Sequence, residues 1–346
     1  MPTIQLSGIA DVLAAGLAEL GEGKWTDLTT DLQEFVAVPQ LLKKNRVTIQ
    51  SGHSVQWDLI TDQNNSARAV GLFASDRVDV PNGLTQGSMP WRHTIADYAF
   101  DHHEVTANQG SRQIVSLIKA RRHMAMVSMA EFMERRFWRV PDTTDEVNPH
   151  GVPYWIVKSA TEGFNGTAPS GYTTVAGLNP TTLQRWRNYT APYQAVTKED
   201  LIAAWWKAAT MTKFKPPVQS PTFNTGDQYG YYTTYSVYAA LKNILESQNE
   251  DLGSDLDSQD GEPTFRRTKV TWVPVLDEDT TNPVYGINWG EFKTAILGNW
   301  WMKETVLDRV PGQHNVSAVY IDSSFNWICR NRRRNFVISN GTTLPA

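Results

Sequence analysis

The residues best equipped for chemistry are consecutive: Asp101, His102, His103 and Glu104. Adjacent imidazoles flanked by carboxylates are the donor types that zinc and other transition metals take. They sit, however, at the end of a run that reads as a β-strand. Neighbouring side chains on a strand point to opposite faces, so the two rings would not converge on one ion. His53, His93, His123, His150 and His314 are scattered, without the i, i+4 spacing that puts two ligands on one helix face. Asp255, Asp257, Asp260 and Gly261 resemble a calcium loop, but the oxygens are out of register with the glycine and no Glu closes the spacing. A solvated surface loop is the simpler reading. Arg330, Arg332, Arg333 and Arg334 form a basic run beside Trp327 and Phe336. It could hold phosphate, or pair with acids across a subunit boundary. No phosphate-cradling glycine loop, dinucleotide fingerprint or nucleophile elbow occurs. The residues alone reveal no enzyme.

Composition narrows the classes further. The 346 residues can bury a large core and suggest two or three compact units. A net charge of −4 carries no electrostatic signature of nucleic-acid binding. Thirteen Trp, twelve Tyr and twelve Phe favour extensive buried contact, within the chain or between chains. Cys329 is the single cysteine, so no internal disulfide can form; its simplest role is as a small buried apolar residue. No apolar run reaches the 18 residues of a membrane span, and Met1–Leu20 lacks the basic start and apolar block of a secretion signal.

The elements that must position these side chains are organised around Asn108–Phe137. Ile114, Leu117, Ile118, Met124, Met129, Phe132, Met133 and Phe137 recur at helical spacing and predict a helix with one buried stripe. Asn108 or Ser111 can cap it, Pro141 prevents continuation, and its length would be about 40 Å. Before it, residues 1–44 read as an arm of short helical pieces that borrows its packing, since isolated helices of this length are marginal. Val47–Ile49, Val55–Ile60 and Ala67–Phe73 read as strands of an extended hairpin, with Ile95–Val105 returning. After the spine, Tyr154–Val157 reads as a strand and Pro180–Tyr189 as a helix. Thr197 caps a helix running to Met211, and Gly230–Gln248 predicts another. Lys269–Leu276, Val284–Asn288 and Val306–Val310 read as strands. Val316–Ser339 reads as a closing strand pair with its turn near Asp322–Ser324.

This order of pieces resembles the major capsid proteins of tailed bacteriophages. A weak arm, a long hairpin, the run Val105-Thr-Ala-Asn-Gln-Gly110 and the spine follow one another. Ala176-Gly-Leu-Asn179 with Leu183-Gln-Arg-Trp186-Arg-Asn188 is similar to a signature of one branch of that family. Val284-Tyr-Gly-Ile-Asn288 and Trp327-Ile-Cys-Arg-Asn-Arg-Arg333 resemble its closing strands. The resemblance implies an α+β, HK-97-like fold. It places an N-terminal arm at 1–45, an E-loop hairpin at 46–108, and the P-domain spine helix and strands at 109–162. An A-domain at 163–318 and a return to the P-domain at 319–346 complete it. It implies a structural subunit that builds hexamers and pentamers of an icosahedral head around double-stranded DNA, with no cofactor. Partners would be further copies of itself, scaffolding, portal and decoration proteins, and DNA held without sequence specificity, in virions assembled in the host cytoplasm. Trp57, Phe73, Arg77, Trp91, Arg121, Arg122, Arg135, Arg332 and Arg333 are then candidates for contacts between subunits. Two other readings stay open: a metal-dependent α+β enzyme around His102 and His103, and a DNA-contacting virion accessory protein using Arg330–Arg334.

Overall fold

Ser111–Trp138 forms one uninterrupted 28-residue helix, the predicted spine. The computed structural model describes residues 35–62, 69, 83–103, 111–143, 145–213, 229–247, 263–266, 268–306, 308–313 and 315–341. The buried stripe of the spine is Ile118, Ala125, Met129, Met133 and Phe137. After the first step of seven, these fall four apart, which keeps one face inward. Met124 departs from expectation: it is exposed, because the buried stripe passes one residue further on, through Ala125. Burying each larger side chain of the stripe contributes about 1.5–3 kcal/mol.

The spine lies on a six-stranded sheet whose axis is one long strand, β14 (Val316–Cys329). Along one edge it pairs antiparallel with β4 (Arg92–Asp101) over ten residues, Asp101 opposite Val316 and Arg92 opposite Phe325. Along the other edge it meets β13 (Asp308–Arg309), β12 (Lys303–Glu304) and β11 (Phe292–Leu297) in turn. β1 (Val47–Gln50) adds to β11 in parallel and forms the sheet edge. Tyr98, Phe100, Val319 and Ile321 pack under Ile118 and Ala125 of the spine. β2 (Ser54–Ile60) and β3 (Leu84–Pro90) form the separate antiparallel hairpin, from Ser54–Pro90 to Ile60–Leu84. Trp91 alone separates β3 from β4, so the hairpin runs directly into the main sheet.

A second, seven-stranded sheet has its own core. Its order is β5 (Gly163–Gly166), β6 (Asn188–Tyr193), β15 (Phe336–Asn340), β10 (Val284–Asn288), β7 (Tyr229–Thr233), β9 (Thr268–Trp272) and β8 (Thr264–Phe265). The helices Ala203–Met211 and Tyr235–Ser247 cover it, with Leu201, Trp205, Ala208, Val237 and Leu241 against Tyr231, Val284, Phe336 and Ile338. Thr197 caps the segment leading into the first helix, accepting from the Asp200 amide at 3.3 Å, as its spacing predicts.

Several expected elements differ. Tyr154–Val157 is not a strand: Val152–Trp155 is a single helical turn with Pro153 at its start, where proline loses nothing. Pro180–Tyr189 contains only the 3-10 turn Gln184–Trp186 before β6 begins. The helix expected from Gly230 starts at Tyr235, because Tyr229–Thr233 pairs with both β10 and β9. The closing pair is one 14-residue strand through Asp322–Ser324, and Phe336–Asn340 belongs to the other sheet. The hairpin partner of β2 is Leu84–Pro90 rather than a strand at Ile95, and Ala67–Phe73 lies, apart from Ala69, outside the described residues.

Candidate functional site

Where the C-terminal end of the spine meets the hairpin base, the aromatic residues converge. Phe137 lies among Trp138, Trp289, Phe292 and Trp327, with ring centroids 5.2–6.1 Å apart. The pair with Trp289 is stacked and the other three are edge-to-face, geometries that add about 0.5–1.5 kcal/mol per pair beyond burial. Val55, Trp57 and Met89 of the hairpin insert into the same core. The hairpin is thus rooted in the subunit, while its outer end carries Ile60 and Leu84, 81% and 73% exposed.

Two buried charges fasten this region. Glu134 is 1% exposed; its carboxylate accepts from the amides of Val36, Ala37 and Val38 at 2.9–3.2 Å and from Trp138 Nε1 at 2.8 Å. It holds the chain entering from the N-terminal side against the spine. Arg332 is fully buried and, among the described residues, faces no carboxylate. It donates to the carbonyls of Trp155 (2.6 Å), Trp186 (2.9 Å), Thr167 (2.7 Å) and Gly166 (3.3 Å), and to Asn188 Oδ1 (3.2 Å). Burial pushes its ionisation down to about 10, still charged near neutrality. Asn188 in turn brackets Val157, accepting from its amide and donating to its carbonyl. A β-carbon at position 166 would fall 1.9 Å from Asn188 Oδ1, so only glycine lets the strands close.

The remaining candidates separate by environment. Trp57 is 8% exposed against Trp155, and Arg332 is enclosed, so neither is available to another subunit; their size and donor number are used within the chain. Trp91 donates to the Gly52 carbonyl at 2.9 Å and keeps an open face. Arg121 reaches the Ala99 carbonyl at 2.7 Å, and Arg122 pairs with Glu304 at 2.7 Å. Arg135 pairs with Glu131 one turn back, at 3.0 Å. Arg333 is exposed, its guanidinium 3.9 Å from the Phe164 ring centroid. Phe73 and Arg77 lie outside the described residues.

The metal reading meets an unsuitable geometry. The His102 ring contacts Ser317 Oγ at 3.3 Å, while His103 is exposed and its amide donates to Asp101. Among the described residues no three His, Cys, Asp or Glu side chains converge as a metal site. Cys329 is fully buried, its thiol pushed well up by burial. No described helix is long and apolar enough to cross a membrane. The sequence reading missed Glu134 and His150. Glu134 directly follows Met133 and stands three residues before Phe137, so it borders the buried stripe, and that position was the available signal.

No family model matches the sequence, and no curated protein is detectably similar to it. Solved structures match the whole architecture. A chain of the cyanophage A-1(L) capsid superposes with a TM-score of 0.62 at 13% identity, covering 92% of this chain and 97% of that one. The chain has the HK-97-like fold. The capsid of a native GTA particle gives 0.57 at 11% identity over 94% and 97% of the two chains. A structure from Mycobacterium phage Bobi gives 0.52 at 9% identity over 98% and 99%. The match therefore extends nearly from end to end of both partners.

Proposed function

We propose that this chain is the major capsid protein of a tailed phage or related particle, a structural subunit that self-assembles into hexamers and pentamers of an icosahedral head. The end-to-end match to the cyanophage A-1(L) capsid chain is the observation that carries this reading. The hairpin supports it physically. Its root is in the core, but its outer end presents Ile60 and Leu84 largely exposed. Apolar surface held out in this way is covered when a neighbour lies beneath it.

In this reading residues 1–45 are the arm, 46–108 the E-loop, 109–162 and 319–346 the P-domain, and 163–318 the A-domain. Trp91 and Arg333, together with Phe73 and Arg77, are the contact candidates. Arg121, Arg122 and Arg135 face the neighbour with whatever their internal partners leave free. The packaged molecule is double-stranded DNA, enclosed without sequence-specific contacts, and scaffolding, portal and decoration proteins act on the assembled head. Assembly takes place in the host cytoplasm, and the finished protein resides in the virion.

Expression of the full chain followed by sedimentation and electron microscopy is the test. Closed shells or capsomers are expected, and a chain that stays monomeric at all concentrations, with or without co-expressed head proteins, overturns the proposal. Replacing residues 63–82 by a two-residue turn keeps the whole β2–β3 ladder. It should leave a subunit of unchanged melting temperature that no longer forms shells, and shells of normal yield would remove the hairpin from the assembly mechanism.

A further inference from the structure

Beneath the hairpin root sits a histidine that nothing above employs. His150 is 3% exposed, its ring stacked on Tyr154 at 4.1 Å and edge-on to Tyr172 at 5.9 Å. Its Nε2 lies 3.4 Å from Arg92 Nη2, on the first residue of β4, and its Nδ1 is buried without a hydrogen-bond partner among the described residues. A guanidinium can only donate, so a neutral ring with its lone pair on Nε2 is the form that fits. The neighbours of His150 are the hairpin's attachments. Its amide donates to Asn326 Oδ1, and Asn326 Nδ2 donates to the Pro90 carbonyl. Tyr154 Oη reaches Met89 Sδ and accepts from the Ala176 amide, while the Ser88 amide donates to the Ala176 carbonyl. Arg92 itself is tied to the Asp145 carbonyl at 3.0 Å.

We infer that His150 is an acid-sensitive latch: protonation of its ring loosens the attachment of the β2–β3 hairpin to the body of the subunit. The added proton lands on Nε2, removes the acceptor and sets two cations against each other in a buried site. The groups facing it from every side are Arg92 of β4, Asp145 of its own loop, the phenols of Tyr154 and Tyr172, and Asn326 of β14. The acid among the described groups, Asp145, is occupied by the amides of Val147 and Asn148 and by Asn148 Nδ2. Burial first, then Arg92, holds the imidazole down to about 4, with Asp145 opposing. The sign follows: the folded form favours the neutral ring, so this stability is complete above the ordinary imidazole range near 6.5 and is lost as pH falls from there towards about 4.

Hydrogen–deuterium exchange of the full-length chain between pH 7 and pH 4.5, corrected for intrinsic rates, tests the latch. Peptides covering 84–92 and 145–156 should lose protection by up to about tenfold per pH unit below the imidazole range. Peptides covering 284–288 and 336–340 should hold. In H150Q the step should vanish. An equal step in wild type and H150Q, or no step in wild type, overturns the inference. Should H150Q fail to fold, R92M decides: without the facing cation the step shrinks and the ring titrates closer to its ordinary value by NMR. An unchanged step and titration there also overturn it.

Discussion

Glu134 and Arg332 are both buried charges satisfied by several hydrogen bonds, chiefly to the backbone, yet they hold different kinds of structure. Glu134 gathers three successive amides from one short stretch, Val36–Val38, with the Trp138 indole as fourth donor. Arg332 gathers oxygens from three separate segments, at residues 155, 166–167 and 186–188. The carboxylate is a local tether for an incoming chain. The guanidinium is a crosspiece where the core beneath the spine meets the seven-stranded sheet. An arginine suits that task because its planar fork presents five donors in fixed directions. Losing the tether frees one segment; losing the crosspiece strands carbonyls in several.

R332M should therefore be the most damaging single change. It removes every donor while leaving the carbonyls of residues 155, 166 and 186 buried, at a cost of about 3–5 kcal/mol. Thermal unfolding checks this, and a loss under about 1 kcal/mol would mean that water or rearrangement replaces the guanidinium. R332K should recover little, because a point-like ammonium cannot span the same carbonyls. E134Q should come next, at about 1.5–3 kcal/mol, since the amide nitrogen faces donors and accepts from none. Its effect should also be local. Exchange should rise at Val36–Val38 while the 118–133 stretch of the spine keeps its protection. Global unfolding on a par with R332M would erase the distinction between tether and crosspiece.

Both charges show how far the sequence could be read. The spine was legible because 28 residues of helical periodicity leave little ambiguity, and the arrangement of hairpin, spine and later mixed region followed from it. Arg332 stood out only as one member of a basic run, although its neighbour Arg333 is exposed and the two differ wholly in role. Local sequence does not carry that difference; the facing carbonyls come from residues up to 177 positions away. Strand errors share a cause. Asp322-Ser-Ser324 has turn chemistry, yet in the strand Ser324 meets His93 Nδ1 at 2.5 Å and Ser323 accepts from the Met302 amide at 3.1 Å. Cross-strand partners satisfied side chains that would otherwise favour a turn. Leu84–Pro90 escaped notice because it is largely polar, and only Gly87 and Met89 face the core.

The smallest expected effect bounds the comparison from below. Arg122 of the spine pairs with Glu304 of β12 at 2.7 Å, and the Tyr98 hydroxyl approaches the same carboxylate at 3.5 Å. Burial first, then Glu304, pushes the Tyr98 phenol up to about 12, so it remains a neutral donor. The pair joins helix to sheet just as the two buried charges join their segments, but its side chains keep 23% and 18% exposure. Water can therefore compensate each partner when the other is removed. R122A should cost about 0.5–1 kcal/mol, and less as salt is raised. A double-mutant cycle with E304A isolates the pair from the packing lost with the arginine stem. A coupling of about 3 kcal/mol that salt leaves unchanged would place this contact beside Arg332, and burial would no longer explain why one charge is indispensable and the other is not.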